Sequence, residues 1–398
     1  EFADGKPLGE RGAFWLGVHL ANCFGEDKIS LKDRFKWAQD NSQKIEACVE
    51  DPYSNRWWTD TDSPFQFLAA CLEWIGYLTD GEDHICHLPI AVDATCSGLQ
   101  HYSALLKDET GGLAVNLTSD PDRHDVYADV AKTAMLILQS HVGGDNDGLA
   151  KAWTEFGIDR KITKRSVMVV PYAATYHACV TYTRLAVEEA EENGRVVPWE
   201  GERKAFILFG SRIIWAAFAQ TVTAATSAMG WIQDAIRIYS KENDDPIQWL
   251  APSGFLVSHF KNKQERREMD SIISGRRVRA KYYVGLKPLS PKDMASSLPP
   301  SFIHSLDAAH MCLTVSEAIS YGITDFAVVH DSFATHACDM DAFGECIRTT
   351  FYEMYSEYDL LGHLRDQIQD KVSEELPPLP MQGSLDLREV LSSEYFFS

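Results

Sequence analysis

Two short apolar runs constrain this chain more than any other feature. LPIAV at 88–92 is ended by Asp93, and FAVV at 326–329 is followed at once by His330 and Asp331. Each reads as a buried strand that delivers a carboxylate to its tip, the second within a strand–turn–strand, DFAVVHDSFATHA. If neighbouring strands of one sheet hold both, the two carboxylates can share a pair of divalent cations about 3.5–4 Å apart, which activate an attacking oxygen and stabilise a leaving one. Mg²⁺ suits such a pair, because it takes few carboxylates and fills its shell with water and phosphate oxygens. Taken singly, each residue has a plainer use: Asp331 in an Asx-turn and Asp93 as a helix cap.

A third stretch bears on the choice. DRKITKRSVMVVPYAATY reads as a helix over 159–173 with Arg160, Lys164, Met168 and Tyr172 at four-residue steps. Each step drifts by about 40° around the axis, so the four share one face. That face carries two cations, a thioether and an aromatic ring, which suits a polyphosphate at one end and a base or sugar at the other. An amphipathic surface helix is the bland alternative. Pro171 removes a helical amide and biases Val170 away from α geometry, so a kink is expected just before Tyr172.

The remaining chain is mostly helical in pattern. DSPFQFLAACLEWIGYL has Asp62 or Ser63 as N-cap and Pro64 in the first turn. After Asp93, Thr95 or Ser97 is expected to cap a helix that ends at Gly111-Gly112. Residues 203–243 read as one long helical region broken near Gly230. From 247 the pattern changes: QWLAPSGFLVSHF and SIISGRRVRAKYYV alternate around Ser-Gly turns, as hairpins do. LSPKDMASSLPPS reads as a loop, with the next helix starting near His304.

Charge narrows the partners. The formal net charge of −21 argues weakly against a nucleic-acid ligand, yet the cations are segregated. Lys261, Lys263, Arg266, Arg267, Arg276, Arg277, Arg279, Lys281 and Lys287 face only Glu265, Glu268 and Asp270 in their segment, a basic stripe on an acidic body. The nine cysteines lack CxxC pairs, and Cys23, Cys71 and Cys312 read as reduced core thiols of an intracellular protein. HICH at 84–87 lacks zinc spacing and reads as a polar loop entering a strand. No apolar stretch approaches 18 residues, so no membrane span is expected. The opening EFADGKPLGERG, without an initiator Met or a leader pattern, reads as the middle of a longer polypeptide.

In order along the chain, Asp93 in DATCSGLQH, the Arg160–Lys164–Tyr172 helix and VHDS at 329–332 resemble motifs A, B and C of right-hand polymerases. The sequence is most similar to the single-subunit, bacteriophage-type RNA polymerases, a family that includes the mitochondrial enzymes. CSGLQHYSALLKDE, TKRSVM, FIHSLDAAHM and the terminal YFFS extend the likeness over essentially the whole chain.

The resemblance implies an α+β, mostly helical fold: a right-hand polymerase palm with a small antiparallel sheet, plus helical fingers. Residues 1–110 would form the first part of the palm with motif A. Residues 111–303 would form the fingers, including the motif B helix and a basic hairpin-like segment at 247–290. Residues 304–398 would return to the palm with the motif C hairpin and the tail. An upstream promoter-binding region and a thumb would be missing, leaving the catalytic C-terminal part.

The same resemblance implies residue roles. Asp93 and Asp331, with the backbone carbonyl of Ala94, would hold two Mg²⁺ ions. Lys164 and Arg160 would contact the nucleoside triphosphate, Met168 would lie beside it, and Tyr172 and His304 would meet its sugar. His330 would support the primer end. The family's DNA-polymerase cousins place Glu five residues after the motif A Asp and after the His-Asp pair. Here Gly98 and Ser332 stand there, which favours ribonucleotides. The implied partners are double-stranded promoter DNA, nascent RNA and NTPs, acting on a monomer in the cytoplasm of an infected bacterium or, alternatively, in a mitochondrion. A family A-like DNA polymerase and a catalytically silent nucleic-acid-binding fragment are the rival readings.

Overall fold

A computed structural model describes residues 1–61 and 63–398, so Asp62, one of the two expected caps, lies outside the described residues. The architecture is mostly helical, with small antiparallel sheets. The central one has three strands, Pro89–Asp93, Ser332–His336 and Ala327–Val329, with Ser332–His336 in the middle. Its register pairs Asp93 with Ser332 and Val92 with Phe333 on one side, and Val329 with Ser332 on the other. Phe333, Ala334, Thr335 and His336 are all buried, and the helices Gly9–Phe24 and Met340–Glu357 pack against the sheet.

The C-terminal aromatics complete this layer. Phe396 and Phe397 are buried, Ala94 bridges to Phe397, and the Ser398 amide donates to the Asp93 carbonyl at 3.1 Å. The end of the chain therefore braces the strand that carries Asp93.

Around this layer stand the helices Val126–His141, Asp147–Phe156, Arg160–Val169, Tyr176–Glu192, Arg203–Thr221 and Thr223–Glu242. Trp153 anchors them, stacked 4.3 Å from Phe206 with an interplanar angle of 5° and donating to the Phe206 carbonyl. A Cβ at Gly210 would come within 2.1 Å of that indole, so only glycine admits the contact.

Several expectations are corrected. The break in the 203–243 region falls at Val222, where the axis bends by 95°, and Gly230 lies inside the second helix. Thr221, Val222 and Thr223 form a β-branched run, which resists helix more than one glycine whose face is otherwise buried. No single helix among the described residues is long and apolar enough to cross a membrane.

The segment read as a loop, 289–301, lies largely within a helix that runs Pro291–Ser320. Ser290 caps it by accepting from the Asp293 amide, and Pro291 sits in the first turn. Pro299 and Pro300 lie inside it, and burial of Met294, Ala295, Leu298, Phe302 and Ile303 outweighs the roughly 3 kcal/mol cost of an interior proline.

The helix after Asp93 covers only Ser97–Leu106. It ends at Lys107 in left-handed geometry, φ 50°, with the Asp108 amide reaching the Ser103 carbonyl as in a Schellman turn. Gly111 and Gly112 belong to the next short helix, Glu109–Ala114. Neither Thr95 nor Ser97 caps: Thr95 Oγ1 donates to the Tyr395 carbonyl, and the Ser97 hydroxyl meets Tyr172. Cys23 and Cys71 are buried, but Cys312 is exposed. In the HICH stretch, Ile85–Cys86 pair with Lys6–Pro7, and His84 Nε2 lies 2.7 Å from Glu73.

Candidate active site

Strand register brings the two aspartates together. Asp93 ends its strand opposite Ser332, and Asp331 occupies the turn immediately before, with the Ala94 amide donating to its carbonyl at 3.0 Å. Both carboxylates open into one cavity of about 450 Å³. Burial raises the Asp93 pKa, and the charges of Asp331 and Asp27 add to it, against a hydrogen bond from Ser332. The pair is thus a negative centre at one wall of a cavity whose other walls carry Lys28, Arg123, Arg160 and Lys164.

The turn that presents Asp331 is strained. His330 adopts φ 55°, a left-handed conformation that L residues with a Cβ rarely take. Its ring is held from both sides: Nδ1 lies 3.0 Å from Asp331 Oδ1, and Nε2 lies 3.0 Å from Asp307 Oδ2. Burial disfavours the imidazolium, but the hydrogen bond to Asp331 and the charges of Asp307 and Asp331 raise its pKa overall. Buried Asp307 also accepts from His101 Nε2 at 3.3 Å, and His101 Nδ1 accepts from the Tyr355 hydroxyl at 2.6 Å. Burial alone would raise Asp307, yet the hydrogen bond and charge of His101, with the charge of His330, hold it below the usual range.

The opposite wall is the helix Arg160–Val169, capped by Asp159, which accepts from the Ile162 amide. It continues as a 3-10 turn, Val170–Tyr172, so the α-helix is shorter than the expected 159–173 and changes form just before Pro171. Arg160, Lys164, Met168 and Tyr172 all line the cavity. Arg160 pairs with Asp125, which itself caps the helix Val126–His141.

Tyr172 is fixed on three sides. Its ring stacks on His304 with centroids 4.5 Å apart at 22°, and its hydroxyl lies 3.3 Å from Ser97 Oγ. Gly98 forms the third side, since a Cβ there would meet Pro171 Cβ at 2.9 Å and Tyr172 Cζ at 3.1 Å. Ala173 follows in the left-handed region, φ 57°.

A family model described as DNA-dependent RNA polymerase matches residues 6–377. The chain belongs to that family. T7 RNA polymerase of Escherichia phage T7 is 33% identical over 439 residues, an alignment that covers 100% of this chain and 50% of the relative. DNA-directed RNA polymerase 1B, mitochondrial, of Nicotiana tabacum is 34% identical over 411 residues, covering 100% and 40%. This RNA polymerase-family chain spans half or less of the length of these curated relatives.

Each candidate catalytic, substrate-binding or metal-holding residue read from the sequence lies in or beside the cavity. Asp93, Ala94, Arg160, Lys164, Met168, Tyr172 and Asp331 line it, His330 and His304 flank the aspartates and Tyr172, and Gly98 backs Tyr172. The donor set fits a hard cation. Two carboxylates and a backbone carbonyl leave most of a coordination shell to water and phosphate, as Mg²⁺ prefers. Sequence reasoning missed Asp307, His101, Tyr355 and Arg123. Asp307 follows His304 by three residues, one turn along the same helix face, and that spacing was the available signal. His101 is 206 residues from Asp307, and no local pattern announces their contact.

Proposed function

We propose that this RNA polymerase-family chain is a palm-and-fingers catalytic core that extends RNA on a DNA template. The observation that carries the reading is the meeting of Asp93 and Asp331, from adjoining strand ends, in the cavity lined by the Arg160–Tyr172 face. Asp93, Asp331 and the Ala94 carbonyl would hold two Mg²⁺ ions, which when bound supply Lewis-acid activation of the 3′-hydroxyl and charge neutralisation at the phosphates.

The protein's own groups position the reactants, which is most of what phosphoryl transfer requires. Lys164 and Arg160 would take the triphosphate, Arg160 exchanging its contact with Asp125 for phosphate oxygens. Met168 and the face of Tyr172 offer apolar surface to the base and sugar. His304, stacked on Tyr172, stands where a ribose hydroxyl would be read. His330 keeps the Asp331 carboxylate oriented beside the primer end. Gly98 and Ser332, in place of the glutamates of the DNA-polymerase pattern, favour a ribonucleotide.

The ribbon Asn262–Ile273 with Arg276–Leu289 supplies a basic arm for DNA, and the palm and fingers would divide near residues 110 and 303. Partners would be template DNA, nascent RNA and NTPs, with the chain acting as a monomer. Phage relatives favour the infected bacterial cytoplasm, and plant organellar relatives keep an organelle open.

The test is extension of an RNA primer on a DNA template with Mg²⁺ and either NTPs or dNTPs. Extension with NTPs that is lost in Asp331→Ala supports the reading. Extension with dNTPs alone would replace it with a DNA polymerase, and no extension with retained duplex binding would favour a silent binding fragment.

A further inference from the structure

We propose that Arg123 is a polyphosphate-binding residue of this site, the group that grips the pyrophosphate end of the nucleotide. The assignment rests on the polymerase reading above and adds a residue to it. Arg123 lies in the loop before the helix Val126–His141 and lines the same cavity as Lys28, Arg160 and Lys164.

Lys164 also forms no ion pair among the described residues, but of the lysines and arginines lining the cavity only Arg123 has a buried nitrogen without a hydrogen bond. Lys28 pairs with Asp27 and Arg160 with Asp125. Nearby Arg34 is spent on the Ile29 and Asp27 carbonyls and the Asn22 side chain. Arg123 Nε is buried without a hydrogen bond, and among the described residues its guanidinium forms no ion pair within 4.0 Å. Burial lowers its pKa, and the charge of Arg160 adds to the effect against Asp27 and Asp125.

A half-buried cation whose Nε–H has no acceptor is costly in the folded state, and an arriving anion relieves that cost. The planar guanidinium fork matches phosphate oxygens bidentately, and the surrounding cations favour more than one phosphate group. Asp27 does not oppose the anion strongly, since Lys28 is already paired with it. A pyrophosphate moiety is therefore the chemical class the site takes.

The experiment uses the purified protein and its Arg123→Gln and Arg123→Lys variants, with inorganic pyrophosphate as the probe. Calorimetric titration measures pyrophosphate affinity without turnover, and steady-state extension gives KM and kcat for NTPs. In Arg123→Gln the pyrophosphate Kd and the NTP KM should both rise about tenfold, the loss expected of one charge-assisted hydrogen bond, with kcat changed less than about twofold. Arg123→Lys keeps the charge and should stay within about threefold of the native protein. The Arg123→Gln melting temperature should be equal or higher, because an unpartnered cation has been removed. An unchanged pyrophosphate Kd in Arg123→Gln overturns the proposal, as does a large fall in melting temperature in both variants. If the native protein binds pyrophosphate through Arg123 yet extends no primer, this site stands and the polymerase reading falls. If it extends primers while Arg123→Gln binds pyrophosphate normally, the reverse holds.

Discussion

Gly98 and Pro171 touch at a distance that leaves no room for a methyl group: a Cβ on Gly98 would lie 2.9 Å from the proline Cβ. The proline ring cannot swing away as a flexible side chain would, so the turn that carries Tyr172 must move instead. Gly98→Ala is expected to cost about 1–3 kcal/mol of stability by overpacking and to raise the NTP KM by displacing Tyr172. Adding Pro171→Ala should recover part of both losses. A neutral Gly98→Ala in melting and KM would show that this contact does not hold the tyrosine.

Asp307 restrains His330 in its left-handed conformation from 3.0 Å away, and His330 in turn orients Asp331. Asp307→Asn keeps the shape but weakens both histidine contacts. The Mg²⁺ concentration for half-maximal extension should rise roughly tenfold, as when partners of metal-ligating groups are removed. A variant that loses stability yet keeps the native Mg²⁺ requirement would confine Asp307 to a packing role.

The two aspartates repel each other across the cavity, and burial already disfavours charge on Asp93. Asp93→Asn should therefore stabilise the protein in a chelating buffer, by on the order of 1 kcal/mol and with a raised melting temperature, while abolishing extension. Native protein should gain stability when Mg²⁺ is added and the variant should not. Equal Mg²⁺ stabilisation of both proteins would place the ion elsewhere.

The hairpin ribbon turns at Ser274 and Gly275, both with positive φ, as a tight hairpin of this hand requires. Arg266, Arg267, Arg277 and Arg279 are paired with Glu265, Glu268 or Asp270, whereas Arg276 at the tip has no ion-pair partner among the described residues. Arg276→Ala should reduce the slope of log affinity against log salt for duplex DNA by about 1. Arg277→Ala should reduce it less, because Asp270 already neutralises that charge. Fluorescence anisotropy over a KCl series distinguishes them.

Two buried histidines contribute to the loss of stability in acid. Burial drives His19 to about 4 against its contact with the Ala91 amide, and His310 to about 4 against its bond to the Ile347 carbonyl, with His101 and Asp307 facing His310 in opposite senses. Both folded values lie below the unfolded one near 6.5, so between these limits the unfolded chain binds more protons and stability falls as pH falls. Each histidine should contribute about 1–3 kcal/mol at pH 7 that disappears between pH 6.5 and 4. Denaturant unfolding at pH 7.5, 6 and 5 measures this. A flat profile over that range would contradict it, and His310→Gln should shallow it.

Much of the site was legible because its signals are local. The fourfold spacing from Arg160 to Tyr172 follows from the helical period, and an apolar run ended by Asp is a strand that exposes its tip. Pro171 announced a break in its helix because a missing amide acts at the residue itself. The same logic failed at Pro299 and Pro300, where a buried face overrode the local cost, and at Gly230, where the β-branched run at Val222 took the bend instead.

The amino-acid sequence by itself determined which groups the site would contain and which of them share a face, since periodicity and chain direction are properties of a few residues at a time. Only the tertiary structure decided that Asp93 stands opposite Ser332, that Asp307, itself held by His101, restrains His330, and that Arg123 reaches the cavity with no ion-pair partner among the described residues. These contacts join residues tens to hundreds of positions apart. Burial, desolvation and the packing of Gly98 on Pro171 are set by the whole core, and no short stretch of chain encodes them.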